Sequence, residues 1–228
     1  MNKQVTIVAV DGPSASGKST VSRKTAEAIG FMYVDSGALY RGITWKCVRE
    51  NVDVKDTQAV TNLLIRMTMD LVLRGNAVGY LIDGEDPGQE IRGEAVRERV
   101  ADIAAQQPVR VYIVEKLRQM TKFGNLVMEG RDIGTVVFPD TPFKYYLDAD
   151  PEERARRRAA EIKQQEGTDD VDAVLSSLRR RDQKDSSRAT APLQIALGAK
   201  IINSTGMTIE QVVSTIIGDL REAGAIAG

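Results

Sequence analysis

Gly12-Pro13-Ser14-Ala15-Ser16-Gly17-Lys18-Ser19 has the spacing G-x-x-x-x-G-K-[ST], and Thr20 follows directly. A loop that wraps a polyanion with its backbone N–H groups needs residues free to adopt conformations open mainly to glycine. The helix expected just behind adds unpaired N–H donors and a positive dipole end. Lys18 would bring a mobile cation to the β- and γ-phosphates, and Ser19 an oxygen to magnesium. A chance match in a surface loop is the alternative. Against it, this loop follows a β-branched run and opens a helical pattern. The stretch implies a nucleoside-triphosphate site and leaves open what the energy is used for.

Further anion-binding candidates follow along the chain. Asp35-Ser36-Gly37-Ala38-Leu39-Tyr40-Arg41 comes just after an apolar run, so Ser36 and Arg41 belong at the carboxyl end of a strand, where open α/β folds bind ligands. Arg41 rises over Gly37, four residues back, where a phosphate meets no side chain. Glu129-Gly130-Arg131-Asp132-Ile133-Gly134-Thr135 packs charges between glycines after another apolar strand. A tight turn with a local Arg–Asp pair is the plainer account. Arg154, Arg157 and Arg158 share one helical face and repel unless an anion sits among them; with Glu152, Glu153 and Glu161 close by, a solvated face explains them as well. Arg181, Asp185 and Arg188 also lie on one face, where a surface salt-bridge ladder is the alternative.

The elements that must position these residues are legible from periodicity. Val5 to Val10 reads as a buried strand, Lys18 to Ile29 as a helix stopped by Gly30, Phe31 to Val34 as a second strand, and Gly37 to Glu50 as a second helix. Strand, glycine-rich turn, helix and strand open a parallel sheet. Met69 to Leu73 and Ala77 to Ile82 flank Arg74-Gly75-Asn76 as a hairpin, which places an antiparallel insertion at 55–100. Pro108 starts a helix with Val109, Ile113, Leu117 and Met120 on one side. Asn125 to Met128, Phe143 to Leu147 and Lys200 to Ile202 are further strands. Helices are expected from Asp150-Pro151, over Val171 to Lys184, and after a Thr208/Gln211 capping box with a stripe of Ile209, Val212, Val213, Ile216 and Leu220.

Composition narrows the chemistry. The 228 residues suit one α/β domain, and a net charge of -1 gives no bulk support for nucleic-acid or membrane binding. With no histidine, Ser-His-Asp chemistry and histidine bases are excluded. The single cysteine, Cys47, falls in an apolar helix and reads as buried filler in a reducing compartment. The N-terminal segment has no signal-peptide pattern, which points to the cytoplasm.

GPSASGKST, DSGALYR, EGRDIGTVVFPD, the ERARRR run and RRRDQKDSSRATAPL together resemble the motifs of the bacterial cytidylate kinases, in the same order and across nearly the whole chain. The resemblance implies a P-loop kinase with a central parallel sheet flanked by helices. Its core would be 1–54 and 101–228, with 55–100 as a small antiparallel monophosphate-binding insertion and about 154–170 as a helical lid. It implies an ATP site of Gly12, Pro13, Ser14, Ala15, Ser16, Gly17, Lys18, Ser19 and Thr20, with Mg²⁺ on Ser19. Arg41 and Arg131 would hold the CMP phosphate; Asp132, Arg110 and Arg188, with Ser36 nearby, would read the base; Arg181 and Asp185 would face the sugar. Lys18, Arg131, Arg154, Arg158 and Arg181 would carry catalysis in a monomer that binds no nucleic acid. Two departures stand out. Ala101 replaces a serine that commonly touches the base, with Asp102 beside it as a possible substitute, and Ala15 replaces a frequent glycine. Kinases of UMP, AMP or shikimate are the nearest alternatives; a nucleotide-binding switch or RNA-associated ATPase using the arginine face is the distant one.

Overall fold

A computed structural model describes residues 5–166, 171–187 and 191–227, without the side chains of 161–166, 171–173, 177 and 181. In chain order its elements are β1 (Ile7–Asp11), α1 (Lys18–Ile29), β2 (Met32–Asp35), α2 (Ser36–Arg49), α3 (Thr57–Arg66), β3 (Met69–Arg74), β4 (Ala77–Ile82), α4 (Glu94–Ala105), α5 (Gln107–Gln119), β5 (Leu126–Gly130), β6 (Phe143–Asp148), α6 (Pro151–Glu166), α7 (Val171–Ser187), β7 (Lys200–Asn203) and α8 (Ile209–Glu222). The strands form one sheet in the order β3-β4-β2-β5-β1-β6-β7, parallel except for the β3–β4 hairpin.

All of β1 is buried, because helices cover both faces of the sheet. Its residues divide between two cores: Ile7 and Ala9 face α2, α3 and α5, whereas Val8 and Val10 face α1 and α8. Helix α8 carries the expected capping box, with Thr208 and Gln211 each accepting from the other's backbone N–H. Its Val212, Val213, Ile216 and Leu220 are buried, and Ile209 is half-buried. Cys47 is fully buried. Among the described residues no helix is long and apolar enough to cross a membrane.

Within 55–100 the antiparallel hairpin β3–β4 is present and is accompanied by helices. The hairpin continues the main sheet, because Tyr33 N–H on the β2 edge donates to Asn76 O at 2.7 Å. The same region holds α3, capped by Asp56 accepting from Gln58 and Ala59, and α4, which runs on past position 100. Beyond β5, Ile133–Val137 forms a short π-helical turn. The carboxyl ends of β1, β2 and β5 meet along one edge, where the glycine-rich loop and the segments after β2 and β5 converge.

Candidate active site

The glycine-rich loop is held from several sides. Gly12 sits at φ +150°, and a Cβ there would lie 2.1 Å from Leu147 O, so this position admits only glycine. Gly17, at φ +92°, is the N-cap of α1. Ala15 adopts φ +59°, the left-handed region, at the position where the sequence departs from glycine. Lys18 is 5% exposed, and its ammonium donates to Pro13 O at 2.6 Å. Ser19 Oγ donates to Glu129 Oε1 at 2.5 Å, and the Tyr33 hydroxyl donates to the same oxygen at 3.3 Å. From α6, Arg154 donates to Ser14 O at 3.2 Å and Arg157 to Ser16 O at 3.4 Å and Ser204 O at 3.0 Å.

Opposite the loop, arginines and carboxylates meet in pairs. Arg41 bonds Asp35 at 2.6 Å, and Asp35 also caps α2 by accepting from Ala38 N–H at 3.0 Å. A Cβ at Gly37 would come within 3.0 Å of Arg41 Nη1, so the glycine keeps this approach open. The Arg41 Nε–H is buried without an acceptor, a spare donor of the kind an anion would satisfy. Arg110 bonds Asp132, with side chains 3% and 7% exposed, and its guanidinium stacks over the Tyr40 ring. Arg131 donates to Asp185 at 2.9 Å and to Ser14 Oγ at 2.7 Å, which ties the segment after β5 to the glycine-rich loop. Arg154 bonds Asp182, which also accepts from Ser14 N–H at 3.4 Å.

Charge is unevenly tuned across this cleft. Burial pushes the Asp35 carboxyl up, but the Arg41 and Arg92 guanidiniums outweigh it and hold it below the usual carboxylate value. Glu129 shifts the other way, raised first by burial and then by the neighbouring Asp35 charge, despite Lys18 and the Ser19 hydroxyl.

A profile described as cytidylate kinase matches residues 8–222. The chain belongs to the cytidylate kinase family. It is 41% identical over 215 residues to a cytidylate kinase of Caldanaerobacter subterraneus subsp. tengcongensis, covering 94% of each chain. With a cytidylate kinase of Nitrosomonas eutropha it shares 38% over 225 residues, 99% of each. A solved structure of an uncharacterized protein from Eubacterium ventriosum superposes with TM-score 0.53 at 12% identity over 95% of this chain and 98% of that one, a likeness of fold alone.

In this chain one cleft of about 520 Å³ is lined by Ser14, Ala15, Gly17, Lys18, Ser19 and Thr20 together with Ser36, Arg41, Arg110, Arg131, Asp132, Arg158 and Asp185. Gly12, Pro13 and Ser16 underlie it as parts of the loop. Arg154 is buried behind it on Ser14 O. Arg188 lies outside the described residues, and of Arg181 only the helical backbone is described, in α7. Ala101 lines the cleft, whereas Asp102 accepts from Lys184 at 3.3 Å and is not among the lining residues. Nothing in the sequence pointed to Arg23, Arg92 and Arg97 in the lining, and Glu129 stood in a candidate cluster without a role. Arg97, Ala101 and Ala104 sit four and three apart on α4, a helical stripe that periodicity contains but that no motif marks.

Among the described residues no group of three or more acids or cysteines is arranged for a metal ion. A Mg²⁺ that arrives on phosphates needs only one or two protein oxygens. The Ser19 hydroxyl, braced by the Glu129 carboxylate, supplies hard oxygens of that kind beside Lys18.

Proposed function

We propose that this cleft transfers the γ-phosphoryl group of ATP to CMP or dCMP, giving ADP and CDP or dCDP. The observation that carries the reading is the meeting, in one cleft, of the Lys18 loop with Arg41, Arg131 and the buried Arg110–Asp132 pair, in a chain of the cytidylate kinase family. Phosphoryl transfer asks a protein mainly for alignment and charge stabilisation, which suits a site of backbone amides and arginines without histidine. An acceptor phosphate is already anionic, so no strong base is needed.

The glycine-rich loop holds the triphosphate, and Lys18 leaves Pro13 O to reach it. Mg²⁺ bound with ATP would sit at Ser19 and neutralise phosphate charge. Arg41, with its spare Nε–H, and Arg131 hold the acceptor phosphate. Cytosine presents an amino donor beside ring acceptors, and the Asp132–Arg110 pair offers a matching acceptor and donors. Asp185, with Arg181, faces the sugar. Arg154 and Arg158 bring the arginine helix over the transferring group, 55–100 serves as the monophosphate-binding segment, and about 154–170 as the lid. A cytoplasmic monomer belongs to the same reading.

Coupled ADP production with ATP–Mg²⁺ and CMP, dCMP, UMP or AMP tests it. Dominant turnover with CMP and dCMP is expected. Equal UMP turnover would remove the base assignment, and indifference to every monophosphate would remove the kinase reading.

A further inference from the structure

Asp11 ends β1 and immediately precedes Gly12, yet its side chain serves the opposite half of the cleft. One carboxylate oxygen accepts the Ile133 N–H at 2.9 Å and the other the Gly134 N–H at 2.8 Å. These amides open the π-helical turn Ile133–Val137, whose adjacent Asp132 provides no side-chain cap. A helix start leaves such N–H groups without backbone partners, so Asp11 caps this turn from 122 residues away in sequence. The capped turn follows directly on Arg131 and Asp132, which reach Ser14, Asp185 and Arg110.

We propose that Asp11 is a positioning residue for phosphoryl transfer: its ionised carboxylate clasps the acceptor-binding turn to the residue that starts the ATP loop and sets the distance between the two phosphates. This rests on the kinase reading above and adds a group that touches neither substrate. In-line transfer is sensitive to distance, and a displacement of about 1 Å costs on the order of 100-fold. A neutral side chain weakens the clasp, because an amide NH₂ would face an N–H donor and a protonated oxygen accepts less strongly than a carboxylate.

Asp11 is buried, and facing it are Asp132 from the acceptor turn and Lys18 from α1; its register neighbours Gly130 and Tyr146 are uncharged near neutral pH. Burial pushes its carboxyl up to about 6, against the two amides, and Asp132 adds to the rise. A folded-state value above the unfolded 3.8 means that protonating Asp11 favours the folded state as the pH falls through 6. Opening the clasp by acid therefore lowers turnover without an Asp11-linked loss of fold.

The experiment compares wild type, Asp11→Asn and Asp11→Ala in transfer to CMP and in ATP hydrolysis without acceptor, across a range of pH. Wild-type turnover with CMP, read first, tests the kinase reading; the variant-to-wild-type ratios, with whichever acceptor the wild type uses, test the clasp. Asp11→Asn should lose about 100-fold in kcat for transfer, with both KM values within about threefold and hydrolysis far less affected. The wild-type kcat should fall on acidification with a limb near 6 that the Asn variant lacks. A transfer kcat within about threefold of wild type, or equal losses of transfer and hydrolysis, would overturn the proposal. If neither variant folds, the wild-type profile decides, and a kcat flat through that limb overturns it.

Discussion

The two halves of the cleft are made in different ways. The half proposed for the donor is one continuous stretch, Gly12 to Thr20, which offers mainly backbone amides in a shape fixed at Gly12 and Gly17. The acceptor half is assembled from side chains between Asp35 and Asp185, and its arginines are held by carboxylates: Arg41 by Asp35, Arg110 by Asp132, Arg131 by Asp185. On the proposed reading, binding and stability are separable in the first, whereas in the second the same ion pairs would serve both. That difference predicts opposite responses to mutation.

The largest effect should come from breaking the acceptor half at its most buried pair. Removing one partner of such a pair leaves an uncompensated charge and costs about 3–5 kcal/mol. Arg110→Ala should lose stability on that scale, because the buried Asp132 would lose the guanidinium that bonds it. The double variant Arg110→Met with Asp132→Leu should recover most of the stability yet not CMP binding. Urea unfolding and CMP titration separate the two; a single variant costing under about 1 kcal/mol would put this pair with the weak surface bridges.

Lys18→Ala should show the reverse. Its ammonium bonds the carbonyl of its own loop and offsets the Asp11 and Glu129 carboxyls, so the loss of stability should be smaller than for Arg110→Ala, while loss of a cation aimed at the transferring group should lower kcat about 10²–10³-fold, roughly 3–4 kcal/mol. Turnover beside a melting curve checks this. A large fall in Tm would show that the donor half also couples binding to stability.

The same contrast decides what the sequence reveals. The donor loop is legible because its chemistry is local: glycine spacing, one lysine and one serine specify it. Arg41 and Arg131 also stand out within short motifs. Their carboxylate partners are harder to see, since Arg131 and Asp185 are 54 residues apart and spacing says nothing about contact at that distance. Arg154 and Arg157 looked like cations awaiting an anion; Asp182, Glu153 and the loop carbonyls already receive them. Helix α3 had a readable start at Asp56, with Val60, Leu63 and Leu64 behind it, but the adjacent hairpin signal dominated that region. The turn at Ile133–Val137 was hidden because β-branched Val136 and Val137 favour extended chain, and the cap that overrides them comes from Asp11.

Ala101→Ser sharpens the acceptor half. Position 101 lines the cleft with nothing larger than a methyl group, and Asp102 is engaged with Lys184. A hydroxyl there adds one hydrogen bond to a base, worth about 0.5–1.5 kcal/mol, so preference for CMP over UMP should rise about 2- to 10-fold. The ratio of kcat/KM values for the two acceptors measures it, and an unchanged ratio would mean that position 101 does not reach the base.

The smallest effect tests the claim that the donor half is a backbone device. Ala15 holds φ +59°, where an L side chain costs about 1–2 kcal/mol. Glycine would remove that strain but lose about 0.5–1 kcal/mol to the greater freedom of the unfolded chain. The balance favours Ala15→Gly by roughly 0.5–1 kcal/mol, a rise in Tm of about 1–4 °C for a chain of this size. Because the loop's amides are already placed, KM for ATP should stay as it is. A stability gain with no change in ATP binding would show that the loop's shape is imposed by its surroundings, with Gly12 against Leu147 O as the fixed point. A weaker KM would show that the methyl at 15 takes part in holding the cradle shut.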